Sequence, residues 1–322
     1  MREPWFWRRD DAAARLAAMS LSPFSFLYDF AQQRRMKRTA PQKAGAPLVC
    51  IGNSTLGGAG KTPLAIAVHR LFKSRGTDAF FASRGYKGSL AGPVRVGAEH
   101  SAADVGDEPL LLSKEGAVFI GKDRLSCARA AAKAGAALII MDDGFQNPVV
   151  AKDFSILIAS DGDYENNGRI FPAGPNRESF SRALARADII VAIDDDDAPQ
   201  EFGGKPVFRA RSRVTAPFEP QAVYAFCGIA RPELFFKSLE KLGFAIAGWE
   251  TFPDHYAFDE AEHARLLMAA ARAGAKLITT EKDLVRFPDF ARSSVAALKF
   301  DLVLEEAETF LSLAAAKLGI AI

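Results

Sequence analysis

The sequence predicts an α/β protein in which a doubly wound, mainly parallel sheet precedes a second, smaller α/β region. From residue 47 onward, short apolar runs rich in β-branched residues alternate with longer segments rich in Ala, Leu and Arg. That rhythm is typical of parallel strands joined by crossover helices. A glycine-rich turn follows the first run, and the pattern changes near residue 212, where we place a domain boundary.

Six apolar runs are the strand candidates of the first region. They are PLVCIGN (47–53), AFFASR (79–84), AVFIG (117–121), ALIIMDD (137–143), FSILIAS (154–160) and DIIVAI (188–193). Helix candidates between them span 62–75, 108–115, 122–135 and 177–187. In a fold of this kind, ligands bind at the carboxyl ends of the strands.

The second region begins after an acidic run that also carries Pro and Gly, at 193–206. Its predicted elements are a strand at 207–214, a strand–helix unit at 222–244, the segment KLITTEKDLVRF at 276–287 and a C-terminal helix at 307–319. We therefore predict an N-terminal segment over 1–43, a core domain over 44–212 and a smaller domain over 213–322.

The composition is that of an ordinary globular protein, with 49% apolar and 25% charged residues. A net charge of +2 predicts no nucleic-acid partner, because nucleic-acid binders usually show a strongly basic face. The three cysteines are far apart in apolar surroundings, which predicts neither disulfides nor a zinc site and fits a reducing cytoplasm. No apolar run is long enough to span a bilayer, and no secretory signal is evident, so we expect a chain that is neither exported nor membrane-spanning.

The turn GNSTLGGAGKTP at 52–63 nearly matches the phosphate-binding pattern G-x-x-x-x-G-K-[ST], with Thr55 at the first glycine position. Because the turn lies between an apolar run and a helix, it predicts a P-loop NTPase-like core. Its amides would cradle phosphates, with Lys61 near the β/γ oxygens and the Thr62 hydroxyl on Mg²⁺. The candidate binding residues are Thr55, Leu56, Gly57, Gly58, Ala59, Gly60, Lys61 and Thr62. The alternative is a glycine-rich turn with a solvated lysine.

Two acidic pairs accompany this loop. Asp142 and Asp143 directly follow an apolar run, where a phosphate loop needs a carboxylate to hold the metal or its water. The alternative for them is a polar turn that closes a buried strand. Asp107 and Glu108 precede Pro109 and an apolar helical run, so the alternative for Asp107 is a helix N-cap.

His255 is the candidate base. It lies in FPDHYAF, a loop-like segment, beside Asp254 and aromatic residues. A lone loop histidine is usually structural, and that alternative stays open. A phosphoryl-transfer enzyme with an alcohol acceptor, however, gains about 10²–10⁴-fold from a base near the hydroxyl.

Seven motifs between residues 53 and 283 together resemble the tetraacyldisaccharide 4′-kinase family. They are NSTLGGAGKTP, SRGYKG, GDEP, DDGFQ, RIFPAGPNRE, PDHYAF and TTEKD. The resemblance spans nearly the whole chain, and that family's phosphate loop similarly lacks the first glycine. It implies ATP- and Mg²⁺-dependent transfer of the γ-phosphate to the 4′-hydroxyl of a tetraacylated glucosamine disaccharide 1-phosphate. The product would be lipid IVA, made in the lipid A pathway at the cytoplasmic face of the bacterial inner membrane.

The same resemblance implies roles for individual residues. Lys61 and Thr62 would serve the phosphates and the metal. Asp142 and Asp143 resemble the family's acidic strand end, and Glu108 would join the surroundings of the metal.

Asp107 and His255 resemble the family's Asp–His dyad, in which the acid orients or activates the imidazole as it draws the proton from the acceptor hydroxyl. Because His255 belongs to the second region, this pairing implies a cleft between domains that closes on both substrates. The motifs depart from the family at Lys87, within SRGYKG, and at Asn176, where Leu is common. The candidate substrate contacts are Arg84, Tyr86, Gln146 and Arg177.

The N-terminal segment suggests peripheral membrane association. Residues 1–43 carry nine Lys and Arg against four acids, and aromatic residues are interspersed among them. That composition suits a membrane interface, where each basic residue near an anionic surface contributes about 1 kcal/mol. The alternative is a helix packed on the core of the protein, and both can hold for different faces.

Two rival functions remain at the level of sequence. A nucleotide-switch ATPase of the partition or metal-delivery type also uses a GGxGKT loop, but it commonly carries Lys where this chain has Thr55. A soluble small-molecule kinase would leave the aromatic, basic N-terminus without a role. The sequence does not indicate the oligomeric state.

Overall fold

The computed structural model describes residues 4–7, 9–57, 60–160 and 167–322. Across these ranges a single sheet of thirteen strands forms, in the order β11-β10-β12-β13-β9-β7-β6-β1-β5-β2-β4-β3, with β8 paired to β9. Most neighbours are parallel, and helices cover both faces. The predicted fold class is therefore confirmed.

Each of the six predicted runs of the first region contains a strand. The strands of this region are β1 (Leu48–Asn53), β2 (Ala79–Ser83), β3 (Val94–Arg95), β4 (Val118–Ile120), β5 (Leu138–Asp142), β6 (Phe154–Ser160) and β7 (Ile189–Ile193). Short strand β3 was not predicted, and it pairs antiparallel with β4 at the sheet edge.

The helices of the first half are α1 (Ala12–Arg38), α2 (Lys61–Ser74), α3 (Ala102–Val105), α4 (Asp107–Ser113), α5 (Arg124–Lys133) and α6 (Phe180–Arg186), after a 3-10 turn at Trp5–Trp7. Four of them, α2, α4, α5 and α6, lie within a few residues of their predicted positions, whereas α3 was not predicted and α1 falls in the N-terminal segment, for which no helix bounds were predicted. Asp107 is the first residue of α4, and Gly106 occupies the N-cap position. The N-cap alternative for Asp107 is therefore wrong.

The second half completes the sheet. Its strands are β8 (Glu201–Phe202), β9 (Lys205–Thr215), β10 (Ala222–Cys227), β11 (Ala245–Thr251), β12 (Lys276–Thr280) and β13 (Ala296–Leu304). Its helices are α7 (Pro232–Lys241), α8 (Glu260–Arg272), α9 (Glu281–Leu284), α10 (Asp289–Arg292) and α11 (Ala307–Leu318). Strand β11 lies at the outer edge with no fully buried residue, which explains why its apolar pattern is too weak to predict it.

The sheet is continuous across the proposed domain boundary. Residue 212 lies inside β9, which pairs in parallel with β7 on one side and antiparallel with β13 on the other. Ser212 itself is opposite Leu302 of β13. The division into 44–212 and 213–322 thus describes two parts of one sheet, and their independence stays a prediction.

The central strands are buried on both faces, as parallel strands between two helical layers must be. Leu64 and Phe72 of α2 pack on one face, and Leu125 of α5 packs on the other. Each fully buried side chain of this size contributes about 1.5–3 kcal/mol to the free energy of folding. Since Ile51 of β1 is opposite Asp142 of β5, the turn after β1 and the acidic turn after β5 meet at one edge of the sheet.

Helix α1 docks on the loop that precedes α6. The Ser25 hydroxyl donates to the carbonyl of Ile170 at 2.7 Å and accepts from the amide of Ala173 at 3.0 Å. The indole of Trp7 donates to the carbonyl of Pro172 at 3.1 Å. Among the described residues, none of the helices has the length and apolarity that a bilayer crossing requires.

Candidate active site

The phosphate loop connects the carboxyl end of β1 to the first turn of α2. Gly57 and Gly60 have φ angles of 114° and 74°, a region that favours glycine. A Cβ on Gly60 would lie 2.7 Å from Cδ1 of Ile193, so this position excludes a larger residue. Gly58 and Ala59, which the sequence also assigns to the loop, lie outside the described residues.

Lys61 bends back over the loop. Its Nζ donates to the carbonyl of Gly57 at 2.9 Å and to Oδ1 of Asn53 at 3.1 Å, and it lies 3.7 Å from Oδ1 of Asp143. Burial lowers the pKa of Lys61, and the negative charge of Asp143 opposes that shift. A cationic group therefore lies inside the turn, where a phosphate would meet it.

Thr55, which replaces the first glycine of the pattern, is buried. Its hydroxyl accepts from the Asn53 side-chain amide at 2.8 Å, and its backbone forms an antiparallel bridge with Asn176. The amide of Leu56 donates to the carbonyl of Pro175 at 2.7 Å. The start of the loop thus lies against the RIFPAGPNRE segment, and Asn176 takes part through its backbone.

The acidic turn after β5 faces the loop. The Thr62 hydroxyl donates to Oδ2 of Asp142 at 2.8 Å, whereas the buried Oδ1 of Asp142 has no hydrogen-bond partner among the described residues. Burial, together with the negative charge of Asp143, raises the pKa of Asp142 to about 6. An orphaned carboxylate oxygen beside a threonine hydroxyl is the donor set that Mg²⁺ uses in phosphate loops.

Asp143 adopts a left-handed backbone conformation, with φ of 53°. Its Oδ1 accepts from Nη1 of Arg177 at 2.8 Å. Burial alone would raise the pKa of Asp143, but the charges of Lys61 and Arg177 together lower it. Arg177 also lies 3.3 Å from Oε1 of Gln146, whose Nε2 donates to the carbonyl of Asn53 at 2.8 Å. Of the four predicted substrate contacts, Arg177 therefore contacts the acidic turn directly, and Gln146 is linked to it through Arg177.

Arg124 is a site residue that the sequence analysis missed. It is buried at the start of α5, and its Nη2 donates to the carbonyls of Asp142 and Asp143 at 3.1 and 2.9 Å. It therefore holds the backbone of the acidic turn. No local pattern around Arg124 marks it, because its partners lie 18 and 19 residues away.

Asp107 and His255 are in direct contact, as the resemblance implied. Oδ2 of Asp107 lies 2.7 Å from Nδ1 of His255. Burial alone would raise the pKa of Asp107, but the hydrogen bond with His255 and the charge of Arg286 lower it. An ionised carboxylate only accepts hydrogen bonds, so Nδ1 carries the proton and Nε2 of the neutral imidazole is left as the basic atom.

Two cations from the TTEKD region reach the same place. Arg286 donates through Nε to Oδ2 of Asp107 at 2.8 Å, and Lys282 pairs with Glu108 at 3.0 Å. The sequence marks TTEKD only as part of the motif set and assigns no role to Lys282 or Arg286. The signal that could have identified them is that charged residues follow the carboxyl end of β12.

The remaining candidates lie at the mouth of the site. The Tyr86 ring is exposed and meets the His255 ring edge-on, with centroids 5.7 Å apart. Arg84 is exposed. The negative charge of Glu108 opposes the lowering of the Lys61 pKa by burial and adds to the raising of the Asp142 pKa by burial. Glu108 is therefore close to the phosphate loop and next to Asp107 in the chain, so the loop and the Asp107–His255 pair belong to one site.

A lysine-bearing phosphate loop beside a carboxylate-bound imidazole is the arrangement expected of a P-loop phosphotransferase with an alcohol acceptor. A family model described as tetraacyldisaccharide-1-P 4′-kinase (LpxK) matches residues 17–318. The chain belongs to this family of lipid A biosynthesis kinases, and the predicted family is confirmed. The assignment selects the kinase interpretation over the nucleotide-switch ATPase.

Individual relatives agree. The tetraacyldisaccharide 4′-kinase of Parvibaculum lavamentivorans is 45% identical over 296 residues, which cover 89% of this chain and 86% of the relative. That of Rhodospirillum centenum is 43% identical over 96% of this chain and 94% of its own length. The crystal structure of an "apo" form of LpxK from Aquifex aeolicus in complex with ATP has a TM-score of 0.78 and 29% identity, covering 94% of this chain and 99% of that chain.

The environment of Asp142 predicts that Asp142→Asn stabilises the protein without nucleotide or metal. The folded chain raises the pKa of this carboxyl from 3.8 to about 6, so ionisation above pH 6 destabilises the fold and protonation below pH 3.8 removes the difference. We expect the variant to be more stable than the native chain by about 1–3 kcal/mol above that range. Urea unfolding as a function of pH measures this.

Asp143→Asn is the matched control for that measurement. The pKa of Asp143 is lowered by Lys61 and Arg177 despite its burial, so its charge stabilises the fold at neutral pH. Removing it is expected to destabilise the protein. If Asp142→Asn were also destabilising above pH 6, the description of Asp142 as an uncompensated buried carboxylate would be wrong.

Proposed function

We propose that this chain transfers the γ-phosphate of ATP, with Mg²⁺, to the 4′-hydroxyl of an acylated glucosamine disaccharide 1-phosphate, forming lipid IVA. The observation that carries the proposal is the 2.7 Å contact between Asp107 and His255, beside a loop that holds a buried lysine. Family membership supplies the substrate class. The site supplies a base for the acceptor hydroxyl and a cradle for the donor.

Phosphate binding rests on the loop between Thr55 and Thr62. The N-terminus of α2 directs unpaired amides and a positive dipole end toward an anion. Lys61 adds a formal charge, and its contacts with Asn53 and the Gly57 carbonyl hold that charge within the turn. Phosphate oxygens would compete for the same ammonium group, so the lysine is placed to bind the donor without a large rearrangement.

Magnesium, when bound, would neutralise negative charge on the phosphates. Thr62 and Asp142 are the proposed ligands, because the orphaned Oδ1 of Asp142 and the adjacent hydroxyl fit such an ion. Asp143 and Glu108 are proposed for its outer surroundings. Among the described residues no cluster of three or more His, Cys, Asp or Glu forms a metal cage, and Mg²⁺ in kinases typically needs only one or two carboxylates beside the phosphates.

Proton transfer is assigned to His255. Asp107 accepts a hydrogen bond from Nδ1–H of His255 and so fixes the tautomer, which leaves Nε2 to accept the proton of the 4′-hydroxyl. Oδ2 of Asp254 lies 3.6 Å from Nε2, where it would stabilise the imidazolium once the proton has moved. The imidazole is therefore flanked by a carboxylate at each nitrogen.

Four residues are proposed to contact the sugar and its phosphate. Arg84 and Tyr86 are exposed, and the Tyr86 ring contacts that of His255. Arg177 and Gln146 lie deeper, against Asp143. The exposed pair is suited to the acceptor head group, and the deeper pair to the boundary between acceptor and donor.

Peripheral membrane association at the cytoplasmic face of the inner membrane is proposed for α1. Its buried positions are small residues, Ala14, Ala18 and Ser25, which pack on the protein. Its large apolar side chains point outward instead: Leu16, Met19, Phe24, Phe26, Leu27 and Phe30 are all more than half exposed. A helix that buries its small residues and exposes its large apolar ones is suited to an apolar partner such as lipid. Acyl chains held there would place the head group near the cleft.

Lys61→Ala is expected to abolish phosphate transfer while leaving the fold intact, because the only group lost is the cation inside the loop. Transfer of labelled phosphate from ATP to the tetraacyl disaccharide 1-phosphate measures activity, and circular dichroism measures the fold. Lys73→Ala, on the exposed end of the same helix, is the control and should keep normal activity. Native turnover by the Lys61 variant would refute the nucleotide assignment.

His255→Ala is expected to lower kcat by about 10²–10⁴-fold, the usual contribution of a general base. The affinity for ATP is expected to change little, since the imidazole lies away from the loop amides. Single-turnover transfer and equilibrium ATP binding separate the two quantities. His100→Ala, in a polar loop, provides the control, and an unchanged rate for the His255 variant would remove this residue from the mechanism.

Replacing Phe24, Phe26 and Leu27 together by Ser is expected to move the protein from vesicles to the supernatant, because it removes the exposed apolar face of α1 and spares Ser25. Co-sedimentation with vesicles of phosphatidylethanolamine and phosphatidylglycerol measures this. Met268, Phe300 and Val303 are exposed apolar residues elsewhere, and their replacement by Ser is the matched control. Equal loss of binding in both variants would contradict a specific role for α1.

A further inference from the structure

Arg286 has no role in the mechanism so far, although it touches the catalytic carboxylate. It lies between α9 and α10, and its side chain is 3% exposed. Nε donates to Oδ2 of Asp107 at 2.8 Å, and Nη1 donates to the carbonyl of Gly228 and to Oδ1 of Asp283, each at 2.9 Å. The same oxygen of Asp107 therefore receives hydrogen bonds from Arg286 and from His255.

Gly228 links this guanidinium to the backbone of His255. The carbonyl of Gly228 accepts from the His255 amide at 3.2 Å as well as from Arg286. The amide of Gly228 donates to Oδ1 of Asp283 at 2.9 Å. The two peptide groups that flank Gly228, at the carboxyl end of β10, are thus held by Asp283 through the amide and by Arg286 through the carbonyl, and the same carbonyl holds the residue that carries the imidazole.

The backbone of His255 needs such support. Its φ angle is 63°, in the left-handed region where a histidine is strained and persists only when its surroundings fix it. Arg286 acts at both ends of the catalytic pair, since it orients the Asp107 carboxylate directly and fixes the His255 backbone through Gly228. Its planar fork allows these contacts to form at the same time.

If Arg286 had a purely structural role, its substitution by another cation would have a different effect on the transfer rate. Buried carboxylates require a partner, and Arg286 lies between two of them, Asp107 and Asp283. If charge compensation were its only role, any buried cation at this position would preserve the rate. If geometry matters, a lysine would preserve the charge and lose the rate, because an ammonium on a flexible stem cannot reproduce the fork.

We propose that Arg286 is a positioning residue for phosphate transfer, which sets the Asp107 carboxylate and the His255 backbone in the arrangement that proton abstraction requires. The proposal rests on the proposed function of the Asp107–His255 pair. Arg286 touches neither substrate directly in this arrangement, and its effect passes through the imidazole.

The test is a double-mutant cycle between Arg286→Lys and His255→Ala, measured on the full-length chain with ATP and the tetraacyl disaccharide 1-phosphate. Arg286→Lys is expected to lower kcat by about 10²-fold, the usual effect of a misplaced catalytic group, with the KM for ATP unchanged. In the His255→Ala background the same substitution is expected to leave kcat unchanged, because the group through which it acts is gone.

Two controls make each result decisive. Arg70→Lys alters another arginine that bridges two carboxylates, Glu115 and Asp301, and is expected to leave kcat unchanged. Thermal unfolding shows whether each variant is folded. Arg286→Met, which removes the cation shared by two buried carboxylates, is expected to unfold at lower temperature than Arg286→Lys.

The outcomes distinguish failure of the positioning role of Arg286 from failure of the proposed function. If Arg286→Lys slows transfer by the same factor with and without His255, or does not slow it at all, the positioning role is wrong while the proposed function stands. If His255→Ala itself transfers phosphate at the native rate, the proposed function fails first and the positioning role fails with it.

Discussion

Strand β1 pairs in parallel with β5, and this pairing sets Ile51 opposite Asp142. Because parallel strands end at the same edge of a sheet, the phosphate loop after β1 and the acidic turn after β5 have no other place to meet. The bond from the Thr62 hydroxyl to Asp142 follows from that register. A shift of one residue would turn the side chains of β1 to the opposite face and separate the two turns.

The register of β1 and β5 explains how the phosphate loop meets the acidic turn. The second half of the sheet, from β9 to β13, explains how His255 reaches Asp107. The antiparallel pair of β9 and β13 attaches β10, β11 and β12 to the core sheet. The turns that follow these strands carry Gly228, His255 and Asp283. Helix α9 packs on α4, and that contact brings the second group of turns to Asp107. The cleft therefore lies between two parts of one sheet that carry different halves of the chemistry.

The buried carboxylates of this site differ in whether a cation lies beside them. Asp143 and Asp107 each have cations beside them, which lower their pKa values despite burial. Asp142 has a hydroxyl on one oxygen and no partner among the described residues on the other, and burial raises its pKa. A buried carboxylate of this kind lowers the stability of the protein when no ligand is bound. Such a cost at a functional position fits a site that is completed by a cation.

The sequence by itself determined the elements with local patterns. The buried strands were predicted from continuous apolar runs. The glycines and Lys61 identified the phosphate loop, and the set of seven motifs identified the family. Strand β11 was missed because it is an exposed edge, whereas β13 was missed although Leu298, Phe300, Leu302 and Leu304 alternate along one face and were an available signal. The pairing of Asp107 with His255, 148 residues apart, was implied by the family resemblance. Only the tertiary structure decided which other charges meet, such as Arg286, which lies 179 residues from Asp107. No periodicity encodes such distances, because contacts of this kind depend on how whole elements pack.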